Sequence, residues 1–155
     1  MNWYNESLQV FNLLNQTIYF KTFRKTILML SISQEILEFV ATRSHREREK
    51  YFEYHSVPRK DEYQLHHIYP ISYATSRKDL ELIDNHKNLI YISNKIHSKI
   101  PKNDTFIKIE WSQNRLLLVD PVSKERIDIS DDCLLNKNKI PEIVEYNRNL
   151  IEKIQ

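Results

Sequence analysis

The chain has 155 residues, a formal net charge of +2, 41% hydrophobic and 28% charged residues, one cysteine and no glycine. That length is enough for a single domain with a hydrophobic core. Average usage would supply roughly 11 glycines, and their absence excludes the G-x-G-x-x-G and Walker A phosphate loops and the G-x-S-x-G nucleophile elbow, while lone Cys133 excludes an internal disulfide and any C-x-x-C zinc ribbon.

Residues 1–6 lack the basic and apolar regions of a signal peptide, and the best uninterrupted apolar run, 27–30, is far too short for a bilayer. The expectation is a soluble, cytoplasmic setting with no membrane partner. Residues 6–40 read as helix, because Leu8, Phe11, Leu14 and Ile18, then Ile32, Ile36, Phe39 and Val40, fall mostly three and four apart. Candidate breaks are Lys21-Thr22 and residues 31–33, with Ser33 a fair N-cap. The helical pattern runs on through the charged stretch 43–53 and stops before Val57-Pro58. Residues 1–60 hold nine Lys/Arg against six Asp/Glu, and most of that excess is Arg43, Arg46, Arg48, Lys50, Arg59 and Lys60. Interleaved Glu47 and Glu49 suit a solvated helix face; a phosphate-tracking surface is the rival reading.

From residue 62 the pattern changes. Tyr63-Gln64-Leu65-His66-His67-Ile68 predicts a short strand ended by Pro70, followed by a loop through Asp84-Asn85. Asn88-Leu89-Ile90-Tyr91-Ile92 predicts a second strand, and Ser93-Asn94 a cap for a short helix over 95–100, closed by Pro101. Residues 106–111, 115–119 and 126–129 predict a β-meander, with Asn114 taking any φ > 0 position in its first turn. Pro141, Ile143, Val144, Leu150, Ile151 and Ile154 predict a closing amphipathic helix.

Four of the six histidines fall in the strand–loop–strand–helix unit. His66 and His67 are adjacent, so on a strand they point to opposite faces. One strand histidine and His97 from the short helix can bind an ion, the other strand histidine can take a proton from water, and Asn88 can orient that base through a hydrogen bond. His86 reads as a solvated loop residue, His45 and His55 as surface, and Tyr69, Tyr73 and Tyr91 as core. Lys95 and Lys99, two residues either side of His97, are weak phosphate candidates.

The run Leu65-His66-His67-Ile68-Tyr69-Pro70-Ile71-Ser72, then Asp84-Asn85-His86-Lys87-Asn88-Leu89-Ile90-Tyr91-Ile92, then Lys95-Ile96-His97 resembles the core of HNH endonucleases, the ββα-metal nucleases. The shared pattern is a histidine doublet, Ile-x-Pro, an Asn-Leu pair opening the second strand, and a histidine nine residues after that asparagine. The resemblance covers residues 62–101. It implies that His66 and His97 bind a divalent ion, that His67 is the general base, and that Asn88 positions the base and its loop. Ser93 and Ile96 stand where many members carry the second pair of structural-zinc cysteines, and Pro101 stands where some carry a third ligand histidine. Two protein ligands would remain, leaving positions open for water and phosphate oxygens.

The expected fold class is therefore α+β, with a helical arm over 1–60, the ββα-metal core over 61–101, and a β-meander with closing helix over 102–155 packed on the core. The expected activity is metal-dependent endonucleolytic cleavage of DNA, in the manner of a restriction or defence nuclease. Arg43, Arg46, Arg48 and Lys50 are the candidate phosphate contacts. Imidazole ligands suit Mn²⁺, Ni²⁺, Co²⁺ or Zn²⁺ better than Mg²⁺, although the resemblance keeps Mg²⁺ among the candidates. Cutting both strands would need two sites, hence a homodimer or sequential nicks. The alternatives are a non-catalytic metal- or nucleic-acid-binding module, or an RNase using the same residues on RNA.

Overall fold

The computed structural model describes residues 34–154, with side chains from residue 43 onward; the helix expected before residue 34 and its candidate breaks lie outside them. Helix α1, Gln34–His55, carries the charged stretch to the expected stop before Val57-Pro58. Ser56 ends it in the left-handed region, φ 53°, its N–H donating 2.9 Å to the Phe52 carbonyl. Glycine is the usual residue there. With none in the chain, Ser56, Asp104, Gln113, Asn114 and Lys124 take the positive φ values among the described residues. Asn114 is the one the sequence marked, and with Gln113 it forms the turn between Ser112 and Arg115, a two-residue hairpin turn with both central φ values positive.

Strand β1, Tyr63–His67, pairs antiparallel with β2, Leu89–Ser93, and β2 pairs with a two-residue β6, Cys133–Leu134. The sheet order is β1-β2-β6, which leaves β1 on an edge. Between β1 and β2 lie 3₁₀ turns at Ile71–Tyr73 and His86–Asn88 and a helix α2, Arg77–Ile83. The expected loop is thus partly helical: Ser76 caps α2 by accepting from Asp79 N–H, and Leu80 and Ile83 are its buried residues. Helix α3, Asn94–His97, follows β2 directly with Ser93 as its cap, the side chain accepting from Ile96 N–H.

The meander is β3, Lys108–Ser112, β4, Arg115–Val119, and β5, Arg126–Asp128, and α4, Ile140–Ile154, closes the chain. The architecture is α+β. Ile68, Ile90, Ile92 and Ile96 from the ββα unit, Ile109, Leu116, Leu118 and Ile129 from the meander segment, and Ile140 and Ile143 from α4 form one core. That shared core packs the meander against the unit. On the other face of the first sheet, Leu89 and Tyr91 pack against Tyr51 of α1. Strand β2 is therefore buried on both faces, which explains its near-continuous apolar run. Among the described residues no helix is long and apolar enough to cross a membrane.

Candidate active site

Strand alternation separates the doublet. In the β1–β2 register His66 stands opposite Ile90 and His67 opposite Leu89, so His66 shares the face of the main core and α3, and His67 the face covered by α1. On the first face the His66 and His97 rings lie 5.3 Å apart between centroids and nearly perpendicular, at 78°. Two imidazoles sharing one tetrahedral ion, with nitrogens at about 2.1 Å, have ring centroids roughly 5.2 Å apart. The separation fits. Burial, reinforced by His97 and His67, pushes the His66 pKa down to about 3, and burial lowers that of His97 as well. Burial thereby favours the neutral imidazole at both positions, the form with a lone pair to donate. Among the described residues no group of three or more His, Cys, Asp or Glu side chains is arranged to hold a metal, so these two are a pair without a third protein ligand of those types.

On the second face the His67 ring nitrogen Nε2 lies 3.1 Å from Asp84 Oδ1. The Ser44 hydroxyl of α1 donates to the same oxygen at 3.4 Å, while Asp84 Oδ2 is buried with no hydrogen-bond partner. Asn88 does not hydrogen-bond to this imidazole. Its Oδ1 accepts from Tyr69 N–H at 2.9 Å, and its Nδ2 donates to the carbonyls of Tyr69 and Ile83 at 2.9 and 2.7 Å. It is fully buried. The expected hydrogen bond from asparagine to base is thus replaced by a clamp on both ends of the loop, two residues beyond His67 and one before Asp84. The side chain hydrogen-bonded to His67 is Asp84, to which the motif assigns no role.

The charged stretch also departs from a solvated face. Glu47 is 1% exposed. Its Oε2 accepts from His86 N–H at 2.9 Å and lies 2.8 Å from His86 Nδ1, and Lys50 Nζ is 3.3 Å from Oε1. Burial alone would raise the Glu47 carboxyl, but the His86 and Lys50 contacts outweigh it and hold the pKa below the usual range. His86 is therefore a bonded partner of α1 rather than a solvated loop residue. Arg43 turns inward too: Nε donates 3.1 Å to the Asp84 carbonyl, and Nη2 2.9 Å to that of Glu81. Arg46, Arg48 and Lys50 keep exposed positions. Arg59 is paired with Glu49 at 2.7 Å and lies over the Phe52 ring.

His55, expected at the surface, is 2% exposed, whereas His45 is exposed. His55 Nδ1 accepts from Asn136 N–H at 3.0 Å between the rings of Tyr51 and Tyr54. Tyr69 and Tyr91 are buried core residues, as expected, and Lys95 and Lys99 are exposed. The fourfold spacing of Arg43, Glu47, Tyr51 and His55 is the signal that would have marked one face of α1 as inward.

No curated protein and no solved structure matches the chain. Residues 44–154 match the family described as the type IIS restriction enzyme MboII C-terminal domain. With that match running from the second half of α1 to the end of α4, the chain belongs to the family of the MboII-type restriction-enzyme C-terminal domain.

Proposed function

We propose that this chain is an HNH-type, metal-dependent endonuclease that hydrolyses phosphodiester bonds in DNA. The observation that carries the reading is the His66–His97 pair, brought together from β1 and α3 at a spacing that suits one ion, with His67 next in the edge strand on its other face. Membership of a restriction-enzyme family supports DNA as the substrate. Because β1 is the end strand of its sheet, a phosphodiester lying along it is within reach of side chains from both faces of the strand. His67 removes the proton from an attacking water. The new P–O bond forms as the bond to the 3′-oxygen breaks, leaving 5′-phosphate and 3′-hydroxyl ends. His66 and His97 would hold a divalent ion, which would supply Lewis-acid stabilisation of the negative charge that develops in the reaction. Arg46, Arg48 and Lys50 face the backbone of bound DNA, and Asn88 holds the two ends of the loop that follows the histidine doublet.

The test is nicking of supercoiled plasmid with Mg²⁺, Mn²⁺, Ni²⁺ or Zn²⁺, with RNA in parallel. The parent cuts DNA only when a divalent ion is added. His67→Ala slows cutting roughly 10²–10⁴-fold, as expected for loss of a general base, and leaves Mn²⁺ affinity unchanged. Parent-rate cleavage by His67→Ala would move the base elsewhere. Cleavage of RNA alone would make the enzyme an RNase, and no cleavage with any of these ions would leave a binding module.

A further inference from the structure

Asp84 is poorly placed for local stability. It is the C-terminal cap of α2, where the helix dipole disfavours negative charge. Its side chain is 3% exposed, and one carboxylate oxygen has no partner. Buried carboxylates in that condition are costly, so the position has another use. Two residues of α1 offset the penalty. Arg43 brings its guanidinium onto the carbonyls of Glu81 and Asp84, and Ser44 donates to Oδ1. The oxygen so held is the one 3.1 Å from His67 Nε2.

We propose that Asp84 is the positioning residue for His67, fixed in turn by Ser44 and Arg43 of α1. The inference rests on the nuclease reading above. An ionised carboxylate only accepts hydrogen bonds, so Asp84 selects the neutral tautomer of His67 with the proton on Nε2. The Nδ1 lone pair is then the one turned to water, and the ring is held at a fixed angle on the strand edge. The second histidine of the doublet is thus oriented by a carboxylate from the loop, while Asn88 is spent on backbone.

The experiment compares the full chain with Asp84→Asn in the plasmid assay and in long-range ¹H–¹⁵N spectra of the imidazoles. Loss of His67 cross-peaks in His67→Ala gives the assignment. Asparagine keeps the size of the side chain but can donate to Nε2, which favours the other tautomer; at a base of this kind such an exchange lowers kcat by up to about 10⁴-fold with the geometry intact. The expected result is a fall in kcat of roughly 10²–10⁴-fold, with KM, Tm and Mn²⁺ affinity close to the parent's. The His67 proton moves from Nε2 in the parent to Nδ1 in the variant. A purely structural Asp84 would move Tm and leave the tautomer alone. Parent-like kcat in Asp84→Asn, or a parent His67 protonated on Nδ1, overturns the proposal. If the parent cuts nothing, the nuclease reading falls, and the tautomer still decides whether Asp84 positions His67.

Discussion

Acid should loosen the contact between α1 and the segment after β6 through one residue, His55. Its Nδ1 accepts the Asn136 N–H at 3.0 Å, so that nitrogen must carry a lone pair, and its Nε2 is buried with no partner. A second ring proton would set donor against donor at Nδ1. Burial, with His86 and Lys139 nearby, pushes its pKa down to about 4. In the unfolded chain an imidazole titrates near ~6.5. The folded value is the lower one, so between the two the unfolded chain binds more protons. The stabilisation is complete above about pH 6.5 and is lost as pH falls toward about 4.

Across that whole window the difference of about 2.5 units corresponds to about 3 kcal/mol. Between about pH 7 and about pH 5 the loss is about 2 kcal/mol, a fall in Tm of roughly 4–8 °C for a chain of this size. Burial also depresses His66, which adds a slope of the same sign over the same window and on down to about pH 3. The informative quantity is therefore the parent minus His55→Gln, whose amide oxygen can accept the same N–H without titrating. Urea unfolding at several pH values measures it. If His55→Gln loses as much stability as the parent between about pH 7 and about pH 5, the account of His55 as a buried neutral acceptor is refuted.

Two further outcomes test the site. His66→Ala and His97→Ala should each lower Mn²⁺ affinity in calorimetric titration by more than roughly 10-fold, since even partners outside the ligand shell cost 10–100-fold; parent affinity in both would remove the pair from any metal site. Arg46→Glu with Arg48→Glu should weaken DNA binding and reduce the slope of log K against log salt by roughly 0.9 per lost phosphate contact, without changing Mn²⁺ affinity. An unchanged slope would return these two arginines to an ordinary solvated surface.

What the sequence made legible is what local chemistry encodes. Ser93 and Pro101 bracket α3, the turn at Asn114 separates β3 from β4, and Pro141 with the apolar spacing after it gives α4. Helix α2 was hidden because its seven residues carry two buried apolar positions, Leu80 and Ile83, too few to show a period. Strand β6 has two residues and is defined by its partner rather than by a pattern of its own. The motif put His66, His67, Asn88 and His97 in one unit, but motif spacing does not say which side chain reaches which atom. Asp84 lies 17 residues from His67, and its role is visible only once α2 folds back on the strand. The burial of Glu47, His55 and His86 likewise depends on partners 39 and 81 residues away.

The charged stretch misleads for a definite physical reason. Amphipathic helices are read by finding the apolar stripe and assigning the charged face to solvent. In α1 the inward face itself carries charge. Arg43, Glu47, Tyr51 and His55 recur every four residues, so they lie along one side of the helix, and each is bonded to a different part of the fold. Arg43 holds the end of α2, and Glu47 holds His86 in the turn that leads into β2. The Tyr51 hydroxyl sits between paired strands, accepting from Tyr91 N–H at 3.1 Å and donating to the Leu134 carbonyl at 2.8 Å. His55 takes the backbone beyond β6. The His86 and Lys50 contacts make the buried charge of Glu47 tolerable, and the four side chains tie the second half of α1 to the end of α2, to β2 and to the segment after β6. The family match begins at Ser44, within this same stretch of helix. The later part of α1 therefore packs against the end of α2 and against β2, the elements that set Asp84 beside His67.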